Sequence, residues 1–101
     1  MQAELTTKQD TAVIRLTGRF DFGGHRDFKR CYEAALSDSG VRTITIDLKL
    51  VEYLDSAALG MLLLLKQQAE ARSLPIALLN CGPLVKEIFD VANFGQIFDI
   101  R

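Results

Sequence analysis

Tryptophan is absent from this chain, and 101 residues hold only two prolines, two cysteines and one histidine. A structural zinc site wants four nitrogen or sulfur ligands, so one here would have to recruit carboxylates. Cys31 and Cys81 stand 50 residues apart and outside any C-x-x-C pair. They read as reduced, partly buried thiols in a reducing compartment. No sign of charge dominates: 12 basic and 13 acidic residues leave a net charge of −1. That excludes the basic field on which direct nucleic-acid binding usually rests. Long apolar runs are missing too. The longest, Ala57 to Leu65, is nine residues, is interrupted by Gly60 and ends at Lys66, against the ~20 that a membrane helix needs. Met1-Gln2-Ala3-Glu4 places an acid where a secretory leader would be basic. What is present, 49 % hydrophobic and 25 % charged residues, is ordinary globular composition. The expectation is one domain over residues 1–101, cytoplasmic, without membrane insertion and monomeric or weakly dimeric.

The apolar pattern alternates between periods. Residues 3–8 fit a short edge strand. In residues 11–20, Ala12, Ile14 and Leu16 share one face while Val13, Arg15 and Thr17 share the other, and Gly18 ends the run. Gly23-Gly24 punctuate the next step, and a helix is predicted over 24–38 from Phe28, Tyr32, Ala35 and Leu36. Residues 42–48 alternate cleanly through Ile44, Ile46 and Leu48, and 49–54 read as a connection. A helix over 56–72 follows, its start capped by Asp55 and its Leu59–Leu65 stretch apolar enough for deep burial on all sides. A strand over 75–80, a helix over 83–92 opened by Gly82-Pro83, and a strand over 96–100 complete the chain.

The order β-β-α-β-α-β-α-β predicts an α/β fold: a small, mixed, largely parallel sheet of 4–5 strands with three main helices. Chemistry in such sheets gathers beyond the carboxyl ends of the strands. That edge should hold Asp21 to His25, Leu48 to Ser56 and Asn80 to Pro83.

Enzyme chemistry finds little support there. No G-x-S-x-G elbow surrounds a serine, no glycine-rich phosphate loop is present, and Cys31 falls in mid-helix rather than at an electropositive start. Asp21, Asp47 and Asp55 are candidates for a magnesium cluster, but aspartates at these places more often cap turns. No cofactor, metal or catalytic residue is expected. Ser56 is the distinctive residue. On position alone a serine there helps to start a helix. The other reading is a phosphoacceptor, because a phosphoryl group at a helix N-terminus meets free N–H groups and the positive end of the macrodipole.

Three stretches together resemble the STAS domains, the anti-sigma factor antagonists of bacteria. They are Ile44–Leu48 (ITIDL) followed by Val51–Gly60 (VEYLDSAALG), Leu16–Asp21 (LTGRFD) and Cys81–Asp90 (CGPLVKEIFD). The resemblance runs from about residue 4 to residue 100. It implies phosphorylation at Ser56, the serine directly after the aspartate; Ala57 and Ala58 stand where the family often has a second hydroxyl and a glycine. It implies partner switching: the unphosphorylated domain binds an anti-sigma factor, often itself a serine kinase, and a metal-dependent serine phosphatase restores binding. The partner surface would comprise Asp21, Phe22, Gly23, Gly24, His25, Asp55 and Ser56. The alternative within the resemblance is a non-switching subunit of a bacterial lipid-trafficking ABC transporter that holds its ATPase. A third possibility, a small-ligand-binding regulatory domain, would need an apolar cavity.

Overall fold

The computed structural model describes every residue from Met1 to Arg101. Its strands are β1 (Gln2–Lys8), β2 (Thr11–Phe20), β3 (Thr43–Leu54), β4 (Ile76–Leu79) and β5 (Asp99–Ile100). Its helices are α1 (His25–Ser37), α2 (Ser56–Glu70) and α3 (Pro83–Val91), with short 3-10 turns at Phe22–Gly24 and Phe94–Gln96. The five strands lie in sequence order, β1-β2-β3-β4-β5. β1 pairs antiparallel with β2, and every later pairing is parallel. This is the expected mixed, mostly parallel α/β sheet with three helices.

Strand order decides where the helices go. Each parallel crossover steps in the same direction, so right-handed connections put all three helices on one face of the sheet. Burial follows: Ala12, Ile14, Leu16 and Phe20 of β2 are fully covered, while Arg15 and Arg19 between them are exposed. The core joins those residues to Ile44, Ile46, Leu48 and Leu54 of β3 and to Phe28, Tyr32, Leu62, Leu65, Val85 and Phe89 of the helices. A sheet covered on one side also leaves one side of each helix wet. On α2 the residues Ala58, Met61, Leu62, Leu65 and Ala69 are buried, but Leu63 and Leu64 are 37 % and 41 % exposed. The expectation that α2 is covered all round is therefore corrected.

The larger correction is β3. It does not end near residue 48; it runs on to Leu54, and the supposed connection 49–54 is strand. Pairing shows why its period was hidden. Arg15 faces Asp47 and Thr17 faces Leu50; Gly18 faces Val51 and Arg19 faces Tyr53. At each of these steps β3 carries one residue more than β2, which is a bulge. The bulges move the inward positions from Ile44, Ile46 and Leu48 to Val51 and Leu54. Gly18, likewise, does not end β2 but sits inside it at φ +94°, a left-handed conformation that glycine adopts without a Cβ penalty.

At the C-terminus the expected strand over 96–100 shortens to Asp99–Ile100. Asn93 turns the chain at φ 59°, and Phe94 stacks between Phe89 and Phe98 at centroid distances of 5.3 and 5.2 Å. Packing of three rings there outweighs extension into the sheet. Elsewhere the predicted boundaries move by a residue or two.

Candidate functional site

β2 and β3 end side by side. Phe20 pairs with Leu54, and the Asp55 N–H donates to the Phe20 carbonyl at 3.2 Å. The loops that follow are thereby stitched together, and each opens with an aspartate used as a backbone acceptor. The Asp55 carboxylate accepts from the Ala58 N–H at 2.9 Å and caps α2. The Asp21 carboxylate accepts from the Gly23 N–H at 3.0 Å, and the Asp21 carbonyl accepts from the Gly24 N–H at 2.9 Å. This closes the tight turn that leads into α1.

Ser56 is the first residue of α2 and is exposed. With the Ala58 N–H taken by Asp55, the N–H groups of the first two helical positions have no partner inside the helix. Next to it on the shared edge, Phe22 is 75 % exposed. Its ring lies near-parallel to that of His25, 16° apart in plane with centroids 6.3 Å apart. Phe22, Gly23, His25, Arg26 and Asp27 line an open hollow of about 480 Å³. Arg26 and Asp27 were not among the sequence candidates; only the helical turn that starts at His25 brings them to this edge.

Of the seven sequence candidates, Asp21, Phe22, Gly23, His25, Asp55 and Ser56 reach the surface of this edge. Gly24 does not: it is buried, with the Met1 side chain lying over it. The Asn80–Pro83 loop also departs from expectation. β4 ends at Leu79, level with Asp47, so this loop leaves the sheet well short of Leu54, where β3 ends. There the Asn80 amide donates to the Asp47 carboxylate at 3.1 Å.

The three aspartates weighed as a magnesium cluster are occupied separately. Asp47, buried in mid-strand, accepts from the Lys49 N–H at 3.0 Å and from Asn80, and pairs with Arg15 at 3.3 Å. Burial alone would raise its pKa, but the Lys49 N–H, the Asn80 amide and the Arg15 guanidinium outweigh it and hold the carboxyl below the ordinary aspartate value. No group of three or more His, Cys, Asp or Glu side chains is placed to hold a metal ion. Cys31 and Cys81 are free thiols, and burial pushes both up in pKa. No helix is long and apolar enough to cross a membrane.

Fold and edge together define a class: a small α/β domain whose strand-end edge presents an aspartate-capped, serine-first helix beside an exposed aromatic turn. The chain belongs to the STAS domain family, whose model, described as "Mlab, STAS domain", matches residues 3–99. It is 46 % identical over 88 residues to a STAS-domain containing protein of Pseudomonas aeruginosa, covering 87 % of this chain and 85 % of that one. It is 30 % identical over 94 residues to the anti-sigma F factor antagonist of Lysinibacillus sphaericus, covering 93 % of this chain and 80 % of that one. Among solved structures it resembles the anti-sigma factor antagonist SpoIIAA in its unphosphorylated form, with a TM-score of 0.75 and 25 % identity over 98 % of this chain and 86 % of that one. Proteins named anti-sigma factor antagonists thus stand among the relatives of this STAS domain.

Proposed function

We propose that this domain is a phosphorylation-controlled partner switch. Unphosphorylated, it binds an anti-sigma factor that is also a serine kinase. Phosphorylation of Ser56 releases that partner, and a serine phosphatase restores binding. The domain is then substrate and ligand of enzymes and has no turnover of its own. The observation that carries this reading is the placement of Ser56: exposed, first in a capped helix, on an edge shared with the protruding Phe22.

The physics of the switch is local. A phosphoryl group on Ser56 meets the open N–H groups and the positive end of α2, so the fold tolerates it. It adds about −1.5 to −2 charges beside the Asp55 carboxylate. A partner packed closely on this edge would have to desolvate that charge, and an unpaired buried dianion is very unfavourable. Phosphorylation should therefore leave circular dichroism and melting nearly unchanged while weakening binding ~10–100-fold or more, a few kcal/mol. Asp21, Phe22, Gly23 and His25 of the neighbouring turn, with Asp55, supply the rest of the proposed contact surface.

The experiment is calorimetric titration of the purified anti-sigma factor with unmodified, kinase-treated and Ser56→Ala protein, with mass spectrometry to locate the modification. Ser56→Ala is expected to bind constitutively. If the kinase adds no mass at Ser56 and the treated protein binds as before, the switch reading fails. The transporter-subunit reading then takes its place.

A further inference from the structure

The sheet has two outer edges, β1 and β5, and they differ. β5 is two residues long. β1 runs seven residues, pairs with β2 at every one of them without a bulge, and contains no proline. Short length, bulges and proline are common devices that close an edge to further strands, and β1 has none of the three. The hydrogen-bond parity fixes which of its backbone groups are open. The Asp10 carbonyl accepts from the Arg42 and Thr43 N–H groups, on the β3 side. The alternate residues Thr11, Val13, Arg15 and Thr17 therefore bond toward β1, to Lys8, Thr6, Glu4 and Gln2. Ala3, Leu5 and Thr7 are left with N–H and C=O turned outward. No backbone bond from a turn, loop or cap reaches these three, and no side-chain bond does. The side chains of Glu4, Thr6 and Lys8 are exposed and share the face turned away from the core, while Ala3 and Leu5 pack toward it.

We propose that β1 is a dimerisation edge: a second copy adds its own β1 antiparallel, about a two-fold axis through Thr6, and the two sheets become one. In that register Leu5 stands opposite Thr7 in both halves, so the outward N–H and C=O groups of these residues make the bonded pairs. Thr6 opposite Thr6 and Glu4 opposite Lys8 fall in the non-bonded pairs, where facing side chains come closest. Acid and base lie two positions either side of Thr6, so the strand complements itself in reverse, with one charge pair at each end. Shifting the register to Leu5 opposite Leu5 sets Glu4 against Thr6 and Lys8 against Gln2 and loses both pairs. A strand of an unrelated protein meets the same backbone groups; the built-in charge match is what selects a second copy. The pairing consumes the long edge of both copies and leaves only the two-residue β5 outermost, so assembly closes at a dimer. Because the axis reverses the strands, the two Ser56 edges point to opposite ends of the joined sheet and both stay open. Dimerisation is thus independent of Ser56 and makes the assembly bivalent.

The test is sedimentation velocity of the full chain over a wide concentration range, with amide hydrogen exchange on the same samples. Wild type is expected to pass from monomer to dimer as concentration rises, and exchange at Leu5 and Thr7 should slow in step. Lys8→Glu sets Glu4 against a glutamate at both ends and should weaken association ~10-fold. Adding Glu4→Lys to it restores opposite charges in reversed order and should recover the dimer. Both positions are exposed, so these variants should stay folded, and their melting checks it. Thr7→Pro removes an outward N–H and no bond of the β1–β2 ladder; it should leave a folded monomer. A wild type that stays monomeric at every concentration overturns the proposal. So does a dimer that Lys8→Glu and Thr7→Pro leave unchanged, because another surface then holds it. A charge reversal that fails to restore association, in a protein that melts as Lys8→Glu does, overturns the register and the proposal with it.

Discussion

Two turns stand side by side at the end of the sheet, and both begin with aspartate. After Asp55 the chain enters α2 at once: the carboxylate bonds three residues on, to the Ala58 N–H, and Ser56 is already helical. After Asp21 the carboxylate bonds two residues on, to the Gly23 N–H, and a 3-10 turn intervenes before α1 begins at His25. The same side chain in the same backbone region therefore builds two different entrances. Asp21 has φ −133° and ψ −173°, Asp55 φ −107° and ψ −177°. The residues that follow decide. Gly23-Gly24 have poor helix propensity and close a tight turn, which pushes Phe22 out into solvent. Ser56-Ala57-Ala58 are compatible with immediate helix, which keeps a hydroxyl, not a ring, at the shared edge. One entrance thus presents an exposed hydroxyl and the other an exposed aromatic ring.

The sharpest way to break this division is Ser56→Asp. A permanent carboxylate at the helix start should imitate the phosphorylated state at least in part, weakening anti-sigma binding by ~10-fold or more, while melting stays close to wild type because an acid there suits the macrodipole. Calorimetry and thermal denaturation of the same preparation check both halves. Equal affinity would show that the charge state of this entrance does not control the edge.

Next in size is the pair Asp55→Ala and Asp21→Ala. Losing an N-cap costs about 0.5–2 kcal/mol. Asp55 caps a long helix whose buried face joins the core, so Asp55→Ala should fall inside that range in urea denaturation. Asp21→Ala loosens only a three-residue turn and should cost less. If Asp21→Ala proves the costlier of the two, the glycine turn is holding more of the fold than its hydrogen bonds account for.

Much of this edge was legible in the sequence because capping is local. An aspartate followed by a serine and an apolar run marks a helix start, and Gly23-Gly24 mark a turn, whatever the rest of the chain does. What stayed hidden depends on neighbours. The second half of β3 reads as loop because two bulges against β2 break its alternation, and bulges exist only in a pairing. The same extra length carries Leu54 past the end of β4, so the Asn80 loop stays beside Asp47 instead of joining the edge. Hydropathy marked Leu63 and Leu64 as core, but only strand order tells that every helix lies on one face and keeps a wet side.

Asp47 marks where that lower loop is tied, and pH should expose it. Its folded pKa lies below the ordinary aspartate value, so the ionised form favours the folded state. The contribution is present above the unfolded value of about 3.9 and is lost as pH falls through the folded one. Asp47→Asn should therefore be less stable than wild type at neutral pH, with the gap narrowing in acid. Urea midpoints at pH 7 and pH 3 measure it, and a gap that stays constant would remove the Arg15–Asp47–Asn80 contacts as its source.

The smallest effect is expected at Gly24, and comparing it with Gly18 says what each glycine is for. Gly18 has φ +94°, so Gly18→Ala forces a side chain into a left-handed backbone and should cost about 1–2 kcal/mol. Gly24 has φ −88° and ψ 0°, which alanine accepts. An added Cβ there would meet the end of the Met1 side chain, at 2.7 Å from its terminal methyl and 3.0 Å from its sulfur. The methyl and sulfur can swing aside on the rotatable bonds of the thioether, and the Met1 Cβ, 3.3 Å away, must give by only a few tenths of an ångström. Gly24→Ala should thus stay within about 0.5 kcal/mol of wild type and leave Phe22 exposed and partner binding unchanged. Denaturation and titration of this one variant separate two accounts of the turn. If Gly24→Ala destabilises as much as Gly18→Ala, the Met1 contact is rigid, and the Asp21–His25 entrance is held from the N-terminal strand rather than by its own hydrogen bonds.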